Sequence, residues 1–290
     1  GHARFAMIGI TTGGILNVIL DPIFIFAFQM GISGAAVATA LSQMVSFLIL
    51  LSYFVMHKTT TRLGIHRIAK NPKIYFQIVK NGLPSFSRQG LASIASIMLN
   101  KQAMIYGDAA VAAMAIVTKI FQMMFSVLIG FGQGYQPVVG FNYGAGIMER
   151  VKKAMKFTLK VGTIGMATAA VVLFVTAPHL LKLFISDDPA VMEIGTMALR
   201  AQAISMPLLP VGVVANMTFQ SIGKAWRATM MSAMRQGIFF LPLIFILPAF
   251  WGLYGVVSTQ AVSDLLTAFA CAPFLVRFYK NLAEETKATG

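Results

Sequence analysis

The sequence predicts an all-α protein that crosses a membrane eight times, and three observations support this fold class. First, hydrophobic residues make up 57% of the chain and charged residues only 11%, with a mean hydropathy of +0.76. A soluble domain has about 25% charged residues. Second, apolar runs long enough to cross about 30 Å of hydrocarbon recur from one end of the chain to the other. Third, the loops between these runs alternate in charge.

The predicted spans, numbered one to eight, cover residues 6–28, 33–55, 82–105, 112–138, 157–178, 196–219, 229–250 and 253–276. Loops two, four and six and the C-terminal tail are basic, whereas the odd-numbered loops are not. Since basic loops remain in the cytoplasm, both ends of the chain are expected to be cytoplasmic. The net charge of +14 resides mainly in these short loops, so it does not indicate a nucleic-acid partner.

Loop two is the longest connection, and its residues 66–80 have the pattern of a basic amphipathic helix that lies on the membrane surface. This segment either links two helical bundles or binds anionic lipid.

An internal repeat supports a division at this loop. Spans one and two resemble spans seven and eight, because Pro22 matches Pro242 and a G-x-x-G sequence opens the second helix of each pair, at Gly31 and at Gly252. An even number of spans separates the two pairs, so they have the same orientation. This indicates parallel repeats related by an axis along the membrane normal, an arrangement used by transporters.

The repeat also predicts the domain organisation. Residues 1–56 form the last two helices of a first lobe, 57–80 form a cytoplasmic linker, 81–280 form a complete six-helix lobe, and 281–290 form a cytoplasmic tail. About four further spans are expected upstream of the first residue.

The most unusual polar cluster lies in spans one and two. An Asp at the centre of a spanning helix costs roughly 2.5–3.5 kcal/mol, and Asp21 lies deep in an apolar run. Asn17 precedes it by one helical turn, and Pro22 deprives the carbonyl of Val18 of its helical partner. Thr39 is expected at a similar depth in the next helix. These oxygen atoms suit H⁺ or Na⁺, although Asp21 could instead kink the helix and pair with a buried basic group.

Other polar residues inside the spans are candidates for substrate contacts or buried pairs; they are Arg88, Gln89, Gln202, Gln236 and Asp264. We expect Asp264 to pair with a basic group of span three or four, with substrate binding as the alternative. Pro22 and Pro242 are expected to bend matching helices. The second half lacks the acidic cluster, because Leu241 stands where the repeat has Asp21.

The motifs GFGQGYQPVVGFNYGAG (130–146) and LDPIFIF (20–26) resemble those of the multidrug and toxic compound extrusion (MATE) transporters, and the likeness covers essentially the whole chain. The resemblance implies a fold of twelve helices in two lobes, of which this chain corresponds to helices five to twelve. It also implies that Asn17, Asp21 and Thr39 form the cation-coupling site of the first lobe, together with an Asp on the family's first helix.

The resemblance therefore implies a secondary active transporter that exports cationic amphipathic drugs in exchange for H⁺ or Na⁺ by alternating access. It is expected to be a monomer in the plasma membrane of a prokaryote, with no cofactor besides the coupling ion. The alternative is a lipid-linked oligosaccharide flippase of a related fold, which would line its cavity with many cations. A membrane-embedded enzyme would need clustered nucleophiles and bases, and the four scattered histidines argue against one.

Overall fold

The computed structural model describes residues 3–56, 71–185 and 188–288, and within them every regular element is a helix. The α-helices are α1 (Ala3–Pro22), α2 (Gly31–Val55), α3 (Pro72–Met104), α4 (Asp108–Gly144), α5 (Met148–Lys182), α6 (Pro189–Ser205), α7 (Leu209–Ser221), α8 (Ala225–Ala233), α9 (Leu241–Trp251) and α10 (Leu253–Ala288). Two π-helical segments, Ile23–Ala27 and Met234–Phe240, and a 3₁₀ turn, Met206–Leu208, complete the described elements. The all-α prediction is confirmed.

Seven helical segments of the described chain are long and apolar enough to cross a membrane, and they correspond to seven of the eight predicted spans; they are Phe5–Ala27, Gly31–Ser52, Asp108–Gly144, Met148–Lys182, Pro189–Ser221, Ala225–Trp251 and Leu253–Leu282. The remaining predicted span, 82–105, lies in α3. This helix has 33 residues and is therefore about 50 Å long, enough to cross a bilayer. Arg88 and Lys101 lower its hydropathy below that of the other spans.

The N-terminal part of α3 differs from the predicted surface helix at 66–80. Residues 66–70 lie outside the described part of the chain, whereas 72–80 form the first turns of α3 and continue into the span without a break. Pro72 suits this start, because a proline at the first helical position has the required φ and needs no amide partner.

The chain divides into two compact units, Gly1–Pro72 and Lys73–Gly290. In the first unit, small residues let α1 and α2 approach closely, as in many membrane helix pairs. Ser46 Oγ donates a hydrogen bond to the carbonyl of Gly9 at 3.0 Å, and a Cβ added at Gly13 would lie 2.7 Å from the Cβ of Ser46. The hairpin is therefore held by backbone proximity as well as by apolar contact.

The second unit has a hydrophobic core shared by α4, α5, α6, α7 and α10. Its largest fully buried side chains include Met114, Leu199, Met206 and Phe219. Asp188, in the loop between predicted spans five and six, caps α6 by accepting hydrogen bonds from the backbone N–H groups of Ala190 and Val191. That side chain has a helix-capping role.

The two G-x-x-G sequences have the same roles in both units. The first glycine of each turns the chain with a positive φ, +53° at Gly31 and +55° at Gly252. The second glycine lies against the backbone of the preceding helix: a Cβ at Gly34 would be 2.7 Å from the carbonyl oxygen of Phe24, and one at Gly255 would overlap the carbonyl group of Leu247. Since a residue other than glycine is strained or overlaps there, the repeat recognised in the sequence has a structural cause.

Candidate functional site

The three residues of the predicted cation cluster lie together in the first unit. Asn17 Nδ2 donates to Asp21 Oδ1 at 3.2 Å and to Thr39 Oγ1 at 3.3 Å, so the cluster connects α1 to α2. Asp21 is half-buried. Among the described residues it forms no salt bridge, so the alternative pairing with a buried basic group finds no partner there.

The backbone changes its hydrogen-bonding pattern directly after this cluster. Helix α1 ends at Pro22, and the π-helical segment Ile23–Ala27 follows at once, with Phe28 N–H donating to the carbonyl of Ile23 at 3.0 Å. Proline cannot donate the helical hydrogen bond, and π-helical turns are frequent at functional sites. The acid thus precedes an irregular stretch of a membrane-spanning helix by two residues.

Pro242 also borders a π-helical segment, but on the other side. In the second unit, Met234–Phe240 precedes Leu241 and Pro242, whereas in the first unit the segment follows Pro22. The two matching prolines therefore accompany irregular helix in each unit without identical geometry. Their role as functional bends stays a prediction.

The predicted partner of Asp264 was wrong. Asp264 pairs with Arg235 of the span-seven π-helical segment, rather than with a basic group of span three or four, through Nε–Oδ1 at 2.6 Å and Nη2–Oδ2 at 3.4 Å. Gln260 Nε2 also donates to Asp264 Oδ1 at 2.9 Å. The short turn at Gly252 makes spans seven and eight neighbours, and this signal in the sequence could have identified Arg235.

A cavity of about 810 Å³ lies in the second unit. All five residues predicted as substrate contacts or buried pairs line it; they are Arg88, Gln89, Gln202, Gln236 and Asp264. The structure brings these residues together around one volume. Four further residues line the cavity wall and were not predicted from the sequence; they are Arg235, Gln260, Phe121 and Phe125.

Polar residues of the motif 130–146, at the C-terminal end of span four, contact α7 and, through Gln220, α3. Gln136 Nε2 donates to Gln220 Oε1 at 3.1 Å, and Gln220 Nε2 donates to Ser85 Oγ at 3.0 Å. Helix α4 is continuous through this motif, and a Cβ at Gly132 would overlap Met217 Sδ. At Gly132 the glycine therefore permits close packing of α4 on α7.

Each hairpin has a polar side-chain contact between its own two helices, at matching positions of the repeat. In the first, Asn17 donates to Thr39; in the second, Gln236 Nε2 approaches Gln260 Oε1 at 3.5 Å. Gln260 stands where the repeat has Thr39. The position that joins the helices is thus polar in both hairpins, while the acid at Asp21 belongs to the first alone.

These features define a class of protein. Repeated proline-containing hairpins, polar groups inside spanning helices and a cavity of drug-like size are typical of membrane transporters. The MatE family model matches residues 84–246, more than half of the chain, and the chain belongs to this family. It is a multi-pass membrane protein.

The sequence is similar to curated multidrug export proteins. MepA of Staphylococcus aureus strain MRSA252 is 30% identical over 288 residues, which cover 99% of this chain and 63% of MepA. MepA of Staphylococcus saprophyticus is 28% identical over 270 residues, covering 93% of this chain and 59% of that protein. The chain therefore spans less than two thirds of the length of these relatives, whose names describe export proteins rather than enzymes.

The fold of this chain is also similar to that of solved MATE protein structures. A MATE protein crystallised in the straight conformation superposes with a TM-score of 0.88 at 25% identity, covering 98% of this chain and 64% of that one. A MATE protein in the bent conformation gives a TM-score of 0.84 at 25% identity, covering 98% and 63%.

Proposed function

We propose that this chain belongs to a secondary active efflux transporter that exchanges cationic amphipathic compounds for H⁺ or Na⁺ by alternating access. The observation that carries the proposal is the hydrogen-bonded cluster of Asn17, Asp21 and Thr39 inside two membrane-spanning helices of a MatE-family chain. The similarity to proteins named multidrug export proteins supports the substrate class.

The cluster has the chemistry that a coupling ion requires. Asn17 uses its amide nitrogen for the two hydrogen bonds, which leaves its amide oxygen free to accept or to ligate. Asp21 contributes a carboxylate, and Pro22 frees the carbonyl of Val18. A proton would neutralise the carboxylate, whereas Na⁺ would be held by these hard oxygen atoms.

The proposal links ion binding to the shape of span one. Neutralising or coordinating Asp21 changes the charge two residues before the π-helical segment Ile23–Ala27, so the helix after Pro22 is expected to differ between ion-loaded and ion-free states. Structures of the intact transporter at low and high pH, each with and without Na⁺, measure this directly. The same helix geometry in all four conditions would contradict the linkage.

Ethidium efflux from cells that express the intact gene tests the function itself. We expect efflux above that of the empty vector, and we expect an ionophore that dissipates the coupling gradient to abolish it. A protonophore and a sodium ionophore, used separately, distinguish H⁺ from Na⁺. Efflux that persists when both gradients are dissipated, or efflux no greater than that of the vector, would refute the proposal.

A further inference from the structure

A second, smaller cavity lies where spanning segments of the second unit begin and end, and we call it the boundary cavity. Its volume is about 340 Å³, and it is lined by Lys80 and residues 223–227. Lys80 is near the start of α3, just before predicted span 82–105, whereas residues 223–227 connect the spanning segments Pro189–Ser221 and Ala225–Trp251. The structure thus joins basic loops two and six, which the charge pattern places together on the cytoplasmic side.

The wall of the boundary cavity is positively charged. Among the described residues that line it, three carry charge and all three are basic: Lys80, Lys224 and Arg227. None of them forms an ion pair with an acid of the described chain. Three positive charges around one small volume repel one another and attract an anionic group, which would reduce that repulsion.

Two of these charges are carried by a turn that is fixed to the hydrophobic core. The backbone N–H of Lys224 donates to the carbonyl of Phe219 at 2.9 Å, and the guanidinium carbon of Arg227 lies 5.8 Å from the centroid of the Phe219 ring. Phe219 is 1% exposed. Helix α8 begins directly after Lys224, and the positive end of its dipole adds to the charge of the three side chains.

The surroundings of the boundary cavity suit a lipid better than a free anion. Leu83 and Phe86 follow Lys80 at three-residue intervals, so they lie on successive turns of one side of α3, and they are 38% and 75% exposed. Trp226 lines the cavity and is 74% exposed, and tryptophan is enriched at the boundary between membrane and water. A free phosphate would use only the basic groups, whereas acyl chains would also contact these apolar side chains.

We propose that the boundary cavity binds the phosphate of an anionic phospholipid of the cytoplasmic leaflet, through Lys80, Lys224 and Arg227. Basic pockets between spanning helices on this side of a membrane are suited to such headgroups. The bound phosphate would link α3 to the turn between α7 and α8, beside the hydrogen bond of 3.0 Å that Gln220 donates to Ser85. This lipid is a structural ligand and is distinct from any exported compound.

Lipid binding to the purified intact transporter tests the site. Native mass spectrometry in detergent counts the lipids bound at each concentration of phosphatidylglycerol or phosphatidylcholine, and it gives a Kd for the first lipid bound. We expect the wild type to bind phosphatidylglycerol about 10-fold more tightly than phosphatidylcholine, whose headgroup has a phosphate but no net charge. The triple variant Lys80→Gln, Lys224→Gln and Arg227→Gln should weaken phosphatidylglycerol binding by about 10-fold or more and leave phosphatidylcholine binding unchanged.

A second triple variant is the matched control. Arg150→Gln, Arg277→Gln and Lys280→Gln remove the same total charge from exposed positions outside the boundary cavity, on α5 and α10. We expect this variant to bind phosphatidylglycerol as the wild type does. Equal weakening in both triple variants would show a general attraction to basic residues and would overturn the proposal, as would equal binding of the two lipids by the wild type.

Inorganic phosphate distinguishes a lipid site from a site for a free anion. Added at the same concentration as phosphatidylglycerol, it should not displace the lipid, and displacement would overturn the assignment to a lipid. If the triple variant does not fold, Lys224→Gln alone should weaken phosphatidylglycerol binding by about 5-fold, and unchanged binding would overturn the proposal. These measurements require no transport, so their outcome is independent of the proposed export function.

Discussion

Asn17 is the residue that links the other two members of the cluster in the first unit. Its single amide nitrogen donates to Asp21 on its own helix and to Thr39 on the next. Thr39 is exposed, and within the cluster it contacts Asn17. The orientation of the carboxylate therefore depends on Asn17 more than on Thr39.

In the intact transporter, Asn17→Ala is expected to slow ion-driven efflux roughly 10-fold and Thr39→Ala roughly 3-fold, because the first removes two hydrogen bonds and the second removes one. Initial rates of dye efflux along an imposed ion gradient measure this. Thr11→Ala is the control, since Thr11 is exposed on α1 and outside the cluster. A Thr39→Ala defect as severe as that of Asn17→Ala would show that Asn17 does not organise the site.

Arg235 and Asp264 form a buried ion pair in the second unit, and this pairing predicts a thermodynamic coupling between them. Asp264→Leu leaves the Arg235 guanidinium without its partner, so the melting temperature of the purified transporter should fall by roughly 5 °C or more. The double variant Arg235→Met with Asp264→Leu removes both charges and should recover part of this loss. Losses that simply add in the double variant would mean that the two charges contribute independently.

At the scale of elements, the two hairpins show how one sequence pattern specifies one turn. Gly31 and Gly252 take positive φ values, and Gly34 and Gly255 give the space in which the second helix crosses the backbone of the first. The π-helical segments, by contrast, lie on opposite sides of the matching prolines. The turn is common to both hairpins, whereas the irregular part of the helix is particular to each.

Gly255→Ala is therefore expected to destabilise the second unit by roughly 2 kcal/mol or more, because the added methyl group overlaps the carbonyl of Leu247, and backbone atoms cannot move aside as a side chain can. Thermal unfolding of the purified transporter measures the loss. Gly165→Ala is the matched control: Gly165 is exposed on α5, and a Cβ there meets nothing within 4 Å. Equal stability of both variants would contradict the role assigned to close approach.

The sequence was most informative about features set by local pattern. The length of the apolar runs and the charge of the loops between them predicted the membrane-spanning helices. The spacing of proline and glycine residues predicted the repeat. Helix periodicity and matched depth in the membrane predicted that Asn17, Asp21 and Thr39 lie close together, and in the structure they are hydrogen-bonded. The start of α3 was harder to predict, because a basic amphipathic stretch has the same pattern on a membrane surface as in the first turns of a spanning helix.

Contacts between elements that are distant in the sequence were harder to predict. The five polar residues around the second-unit cavity were each recognised as unusual, but the sequence could not show that one volume joins α3, α6, α8–α9 and α10. Nor did it identify Arg235 as the partner of Asp264, since charges near the ends of spans are common and usually solvated. The short turn at Gly252 makes spans seven and eight neighbours, so a partner for Asp264 on span seven was the signal that the prediction overlooked.

At the scale of the whole molecule, the proposed ion coupling depends on one acid. The family, the membrane-spanning fold and the cluster are all consistent with ion-coupled export, and Asp21 is the group on which the coupling is placed. Asp21→Asn keeps the size of the side chain and removes its charge. Asp108→Asn makes the same change at an exposed acid in the first turn of α4 and serves as the control.

The most direct measurement is drug efflux by the purified, reconstituted transporter in proteoliposomes on which a proton or sodium gradient is imposed. We expect the gradient to drive efflux in the wild type and in Asp108→Asn. We expect Asp21→Asn to abolish gradient-driven efflux while its thermal unfolding matches that of the wild type. Gradient-driven efflux by Asp21→Asn at the wild-type rate would contradict the central claim.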